Sequence, residues 1–358
     1  MRKDRAGCQT PTQHEAEPMT DLPLDDNDPL DPEVLHQMTF SFIPSRVLSA
    51  GLQLGVFSHM AAGKETVREI AQATRASERG MRMLLDALVA CQLLTKSDTR
   101  YELTPLADRF LVRASPDYVG PLMEQDALWE SWGHLTDVIR SGQPLHRVEA
   151  QGVAEQFFPL LVRTLHVLHR DRARRLARAL GVGNPRKGLR VIDIACGSGV
   201  WGIAVAEADP EARVTAQDFP AMLAVTREYL KRHGVEQQFD FLPGDLNVVD
   251  LGQDQYDLAL VGNIVHSEGE QSSRNLLRRL YRALRPGGRV VIIDVLPNDA
   301  RTGPAFPVFF ALNMLLHTEH GDTFTLSEYT RWLQEASFAR VETADIGSHS
   351  PLIVGWKD

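Results

Sequence analysis

The clearest chemical spacing in the chain is VIDIACGSGVWG (191–202), where Gly197, Gly199 and Gly202 follow an apolar run and Asp218 closes the next one. Glycines at such a turn let the backbone approach a ligand, and an acid at the second strand end can accept from both hydroxyls of a ribose. That arrangement suits NAD and S-adenosylmethionine alike. A dinucleotide, however, rests its pyrophosphate on the helix N-terminus, and Asp193 stands just before the glycines. A carboxylate there suits a ligand carrying an ammonium and a sulfonium. From Arg190 onward the chain is long enough for one sheet and not for a second catalytic domain, so a dehydrogenase would have to draw its chemistry from the N-terminal helices. An NAD-dependent oxidoreductase stays as a competing reading, which calorimetry with the two cofactors separates.

Further along, GDLN (244–247), GNIVHSEGE (262–270) and RPGG (285–288) follow or precede apolar runs. In an open sheet these ends lie where the ligand binds. Asp245 is placed either to accept from an adenine amino group or to cap a turn. His266 sits at a strand end on the same edge. A methyl sulfonium is already electrophilic, so a protein using one must align the acceptor and, for a hydroxyl, remove a proton. Histidine is the side chain suited to that near neutral pH.

Elements must hold these residues, and from 189 the text alternates strand and helix. Strands are expected at 189–194, 212–217, 239–243, 256–262, 289–295, 339–345 and 351–356, with helices near 201–208, 220–233, 270–284, 304–317 and 327–336. Strand, helix, strand with apolar strands predicts an α/β fold: a Rossmann-like, doubly wound, mostly parallel sheet. Only a short turn separates the last two strands, which makes that end of the sheet antiparallel.

Before it, a mainly α segment is expected. Apolar residues at helical spacing over 33–60, broken at Pro44 and ending near Gly55, predict two buried helices. VREIAQAT (67–74), a helix over 77–89 capped by Ser77, and a hairpin through RYELTPL predict a winged helix. Such a unit can read DNA, but its second helix carries only Arg79 and Arg82 as basic residues, which favours packing against another copy of itself. Further helices over 115–165 and a long arginine-rich helix over 161–180 follow, the arginines reading as a solvated face. NPRKG (184–188) marks a boundary. The expected division is a disordered tail over 1–32, rich in proline and acid, a winged-helix dimerisation and substrate-pocket domain over 33–184, and a cofactor-binding catalytic domain over 185–358.

Length and charge agree with this division. At 358 residues, 43% of them hydrophobic and with a formal net charge of −9, the chain has the makings of an ordinary two-domain globular protein. The acidic balance argues against general affinity for nucleic acid or anionic lipid, and no apolar run has the length of a membrane span. Cys8, Cys91 and Cys196 show no metal-ligand or disulfide spacing, and no signal peptide is visible, so a reducing, cytoplasmic setting without a bound metal is expected.

Together DIACGSG, the acid of AQDFP, GDLN, NIVH and LRPGG resemble the motif series of class I S-adenosylmethionine-dependent methyltransferases. With the winged-helix half, residues 33–358 are similar to small-molecule O-methyltransferases of the caffeic acid, acetylserotonin and hydroxyneurosporene type. The resemblance implies that Asp193 and Gly197 line the methionine end of S-adenosylmethionine, Asp218 the ribose, and Asp245 with Leu246 the adenine. Gly199, Phe219, Gly244 and Asn263 complete the cofactor-binding set. It also implies that His266 is the general base, that Asp294 orients it, and that the protein is a homodimer whose partner helps close the site. Met314 and His317 in FFALNMLLHTEHG match a substrate-lining helix, on which Phe310 and Asn313 also stand. Trp129 and Phe158 are the corresponding candidates from 115–165, although such residues can equally be core.

The pattern also departs from the plant enzymes. Ser267 follows the histidine in place of an acid and tryptophan, Asp294 is one methylene shorter than glutamate, and Thr323, beside Asp322, stands where the plant pattern has glutamate. These departures point away from a phenylpropanoid. The expected activity is methyl transfer to a hydroxyl of a small, partly apolar metabolite, with an S- or N-acceptor as the alternative. A non-catalytic winged-helix regulator that senses S-adenosylmethionine is the reading of another class, and salt-dependent, specific DNA retention would favour it.

Overall fold

A computed structural model describes residues 31–358 except 125, 146, 148–150 and 349, with backbone alone at 127 and 151–157. The expected tail lies outside the described residues, apart from its last two positions. The chain divides into two units, one ending at Ser41 and one spanning Phe42–Asp358.

In the first unit, α1 (Glu33–Phe40) buries none of its residues, and Leu35 is 67% exposed. The expectation of two buried helices here therefore fails for the first. Pro44, read as a break, instead opens α2 (Ile43–Gln53), because a proline in the first helical turn lacks only an N–H that would be unpaired anyway. Gly55, at φ 67°, then turns the chain into α3 (Val56–Ala61).

Thr66 and Glu69 form a reciprocal capping box on α4 (Val67–Thr74), and Ser77 accepts from Gly80 N at 3.1 Å to start α5 (Glu78–Ala90). Met81, Leu85 and Leu88 of α5 are buried at the expected helical spacing. A hairpin of β1 (Leu94–Ser97) and β2 (Arg100–Leu103) completes the winged helix, with Asp98 at φ 53° in its turn. After it come α6 (Pro105–Leu111), α7 (Gly120–Met123), α8 (Asp126–Gly133), α9 (Leu135–Ser141) and the long α10 (Gln151–Ala179), which runs through Pro159.

The arginines of α10 are not a bare solvated face. Arg170 clasps both oxygens of Asp117 at 2.8 and 3.1 Å, Arg163 pairs with Glu228 at 2.7 Å, and Arg175 donates to Ile346 O at 2.5 Å. Each partner lies far off in sequence, so helical periodicity carries no trace of it.

The sheet holds β3 (Arg190–Ile194), β4 (Arg213–Asp218), β5 (Phe239–Pro243), β6 (Tyr256–Gly262), β7 (Leu284–Ile293), β8 (Arg340–Ala344) and β9 (Leu352–Trp356). Their order is β5-β4-β3-β6-β7-β9-β8, parallel throughout except that β9 runs antiparallel to both neighbours. Between the strands lie α11 (Val200–Ala208), α12 (Pro220–His233), α13 (Val265–Ala283), α14 (Ala305–His317) and α15 (Leu326–Glu335). Period-two alternation sorts the strand residues onto two faces. Val191, Leu258 and Leu260 enter one core, Ile192, Ile194, Ala259 and Val261 the other. All seven are fully buried, and each leucine, isoleucine or valine among them stabilises the sheet by roughly 1.5–3 kcal/mol. Winding reverses between β4 and β6 on either side of β3, and the crevice at their carboxyl ends is where such a fold binds ligand.

Candidate active site

The turn after β3 is shaped by positive φ values at Ala195 (47°), Gly197 (56°) and Gly199 (74°), the last opening α11. A Cβ on Gly199 would come within 2.9 Å of Thr226, so both conformation and space call for glycine there. Asp218, at the end of β4, accepts from Gly197 N at 2.8 Å and Phe219 N at 2.7 Å, which ties the acid to the turn. Burial raises its carboxyl to about 6.

Asp193 behaves differently from a residue open to ligand. It is fully buried beneath the turn, where Oδ2 accepts from Gly202 N at 2.9 Å. Burial first, and then the Asp218 charge, push it up to about 8. Among the described residues its Oδ1 is a buried acceptor without a hydrogen-bond partner. The Asp218 carboxylate beside the turn suits a cationic ligand and would repel a pyrophosphate. The donor set thus agrees with S-adenosylmethionine.

At the next strand end, Gly244 takes φ 142° and its carbonyl accepts from Gln217 Nε2 at 2.7 Å. Asp245 is exposed and caps its own turn, accepting from Asn247 N at 2.8 Å, so the turn-cap reading is the one observed while its other oxygen carries no such role. Leu246 is 8% exposed with its side chain in the second core. Asn263 leaves β6 at φ 55°, with Nδ2 3.4 Å from His169 Nε2 of α10.

His266 stands in the first turn of α13. Its Nδ1 is 2.6 Å from Asp294 Oδ1, just beyond β7, and its backbone N donates to Asp294 Oδ2 at 3.2 Å. Asp294 thus grips both ring and main chain. Asp322, by contrast, donates its backbone N–H to His266 O at 2.9 Å, while its carboxylate faces Arg301 at 3.6 Å. An ionised carboxylate only accepts, so in this contact Nδ1 carries the proton, and a ring with that single proton keeps a lone pair on Nε2. The side chain of His266 is 12% exposed, and Phe310 of α14 meets its ring edge to face at 5.0 Å.

Of the other expected acceptor residues, Met314 and His317 are buried on α14, His317 Nδ1 lying 2.9 Å from Asn313 O. Phe158 packs against the core that also holds Val191. The ring of Trp129 lies 5.3 Å from Phe42 and 5.3 Å from the Arg46 guanidinium. Sequence reasoning missed Tyr329, whose phenol reaches Asp294 from α15, because nothing local in LSEYTRW points to a carboxylate two elements away.

This geometry has close counterparts. Residues 184–339 match the O-methyltransferase domain and residues 36–113 the O-methyltransferase dimerisation domain. The chain is 30% identical over 336 residues, 90% of its length and 95% of the relative's, to the tetracenomycin polyketide synthesis 8-O-methyl transferase of Streptomyces glaucescens. It is 28% identical to human acetylserotonin O-methyltransferase, covering 90% of this chain and 97% of that one. The crystal structure of human N-acetylserotonin methyltransferase in complex with S-adenosylmethionine superposes with a TM-score of 0.79 at 25% identity, over 93% of this chain and 99% of that one. With its glycine turn, paired acids and strand-end histidine, this chain belongs to the O-methyltransferase family that joins a dimerisation domain to a catalytic domain, and it is an S-adenosylmethionine-dependent methyltransferase.

Proposed function

We propose that the protein methylates a hydroxyl of a small, partly apolar metabolite, with His266 as general base and Asp294 as the residue that orients it. The observation that carries this reading is the 2.6 Å contact between His266 Nδ1 and Asp294 Oδ1, which leaves Nε2 to take a proton. When bound, S-adenosylmethionine supplies an electrophilic methyl on its sulfonium. Asp218 would hold the ribose through the lone pairs its two backbone donors leave free, and Asp193, buried beneath the turn, would shape the backbone at the methionine end by holding Gly202 N. Asp245, through its uncommitted oxygen, would serve the adenine.

Phe310 supplies an apolar contact beside the base, and Met314 follows it one turn along α14, with Asn313 and His317 as its polar neighbours. Such an apolar contact excludes water, which keeps the histidine working on the acceptor. The dimerisation-domain match supports a homodimer built on residues 33–184, with 185–358 as the catalytic half.

Replacing His266 with Ala tests the assignment. Affinity for S-adenosylmethionine should stay within about twofold while turnover of a hydroxyl acceptor falls about 10²-fold or more. Undiminished turnover would remove the base role and favour an amine or thioether acceptor, which needs no such base.

A further inference from the structure

Helix α10 reaches the turn after β3 through a chain of side chains that the methyl-transfer chemistry does not use. His166 is 3% exposed, and its Nδ1 lies 3.0 Å from Oγ of Ser198, the residue between Gly197 and Gly199. On its other side Nε2 lies 3.2 Å from His233 Nε2 of α12, and His233 Nδ1 lies 2.6 Å from Glu207 Oε1 of α11. Tyr229 stacks on the His166 ring at 3.9 Å. Around the chain stand Arg170 with Asp117, Arg232, and Arg174, whose Nε lies 3.3 Å from Glu207 Oε2.

The carboxylate at one end sets the direction of the first bond. Glu207 only accepts, so His233 carries a proton on Nδ1, and without a second proton it accepts at Nε2 from His166. Burial first, with the positive charges of Arg170 and Arg232 beside it, lowers His166 to about 3, which keeps it neutral. Its Nδ1 is then bare and accepts the Ser198 hydroxyl proton. If His233 gains a proton, the bond to Glu207 keeps its direction, the His233–His166 and His166–Ser198 bonds reverse, and none is lost. The contact to Ser198 is therefore a fixed tether.

We propose that His166 is a positioning residue for the cofactor, holding the 196–199 turn through Ser198 so that Gly197 N stays on Asp218. This rests on the reading of that turn as the cofactor site. Two neighbouring contacts show how closely the turn is held. Thr226 Oγ1 donates to Gly197 O at 2.7 Å, and a Cβ on Gly197 would come within 3.1 Å of Val162, one helical turn before His166 on α10. With the Ser198 tether gone, the Gly197 N–H to Asp218 Oδ2 bond of 2.8 Å loses its support from α10, and the ribose acid loses a fixed orientation.

The experiment is steady-state kinetics and calorimetry on the full chain carrying S198A, H166A, H166N or H166Q. Asparagine places a polar atom near the position of Nδ1, whereas glutamine places one near Nε2 and reaches His233 instead. S198A and H166A should each raise KM and Kd for S-adenosylmethionine about tenfold, the size of one hydrogen bond in a buried site, with kcat at saturating cofactor unchanged. H166N should restore most of the affinity and H166Q should not. S198A, which removes one oxygen, answers the question even if H166A does not fold. Wild-type cofactor affinity in S198A, equal rescue by asparagine and glutamine, or a fall in kcat without a change in KM would each overturn the proposal. Failure of the underlying reading is distinct: D218A would then bind S-adenosylmethionine as the wild type does, whatever the His166 variants show.

Discussion

The phenol of Tyr329 donates to Asp294 Oδ2 at 2.8 Å, on the side of the carboxylate opposite the oxygen that holds His266 Nδ1. Tyr329 is completely buried between Phe324 and Trp332, and burial together with the adjacent Asp294 charge lifts its hydroxyl well above the usual phenol range. It therefore stays a neutral donor. Tyr329→Phe removes one oxygen and keeps the ring packing. Stability should fall by about 1–2 kcal/mol, because a buried carboxylate oxygen loses a donor. Turnover should fall several-fold with cofactor affinity unchanged. A urea titration and steady-state kinetics read both, and wild-type values in both would remove Tyr329 from the support of the base.

Asp294→Asn is the sharper perturbation. An amide is nearly the same shape, but it can present N–H to the ring and favour the tautomer with its proton on Nε2, which cannot accept from substrate. Turnover should drop by about 10²–10⁴-fold while the fold and cofactor affinity persist. Nitrogen NMR of the His266 ring would show the exchanged tautomer directly.

Asp218 makes the unliganded protein pH-sensitive, and the sign follows from its raised carboxyl. Between the ordinary aspartate range near 4 and about 6 the folded state holds a proton that the unfolded state has released. Asp218 therefore costs stability progressively as pH rises through that window, and the cost stays constant above it. His166 and His169, lowered to about 3 and about 4 by burial, act in the opposite direction below about 6.5, so the contribution is isolated by difference. Relative to wild type, Asp218→Asn should gain stability as pH rises from 4 to 7, while losing cofactor affinity. Melting curves of both proteins at several pH values check it; a constant gap would contradict the burial of this charge.

Asp117 ties α10 to the chain before α7, accepting from Arg170 twice and from Arg109 Nε at 2.8 Å. The Arg170 guanidinium is the main cause holding the carboxyl down at about 2. Its contribution is present above the ordinary aspartate range and disappears as pH falls toward 2. Asp117→Ala leaves Arg170 partly buried without its partner and should destabilise the protein by about 2 kcal/mol, measured by urea unfolding at pH 7.

Much of the fold could be read from residues close together in the chain. Alternating apolar residues in 191–194 assign the two faces of β3, Ser77 starts α5, and the glycines of 197–202 mark the ligand turn, because each is a local constraint of backbone geometry or period. The position of His266 directly after an apolar strand is legible in the same way. What only the tertiary structure decided are relationships between side chains distant in sequence. Asp193 turned under the loop, Trp129 turned toward Phe42 and Arg46, Tyr329 reached Asp294, and the arginines of α10 found acids on other elements. The physical reason is that a strand or helix period determines which way a residue faces, while burial and pairing depend on what the fold brings opposite it.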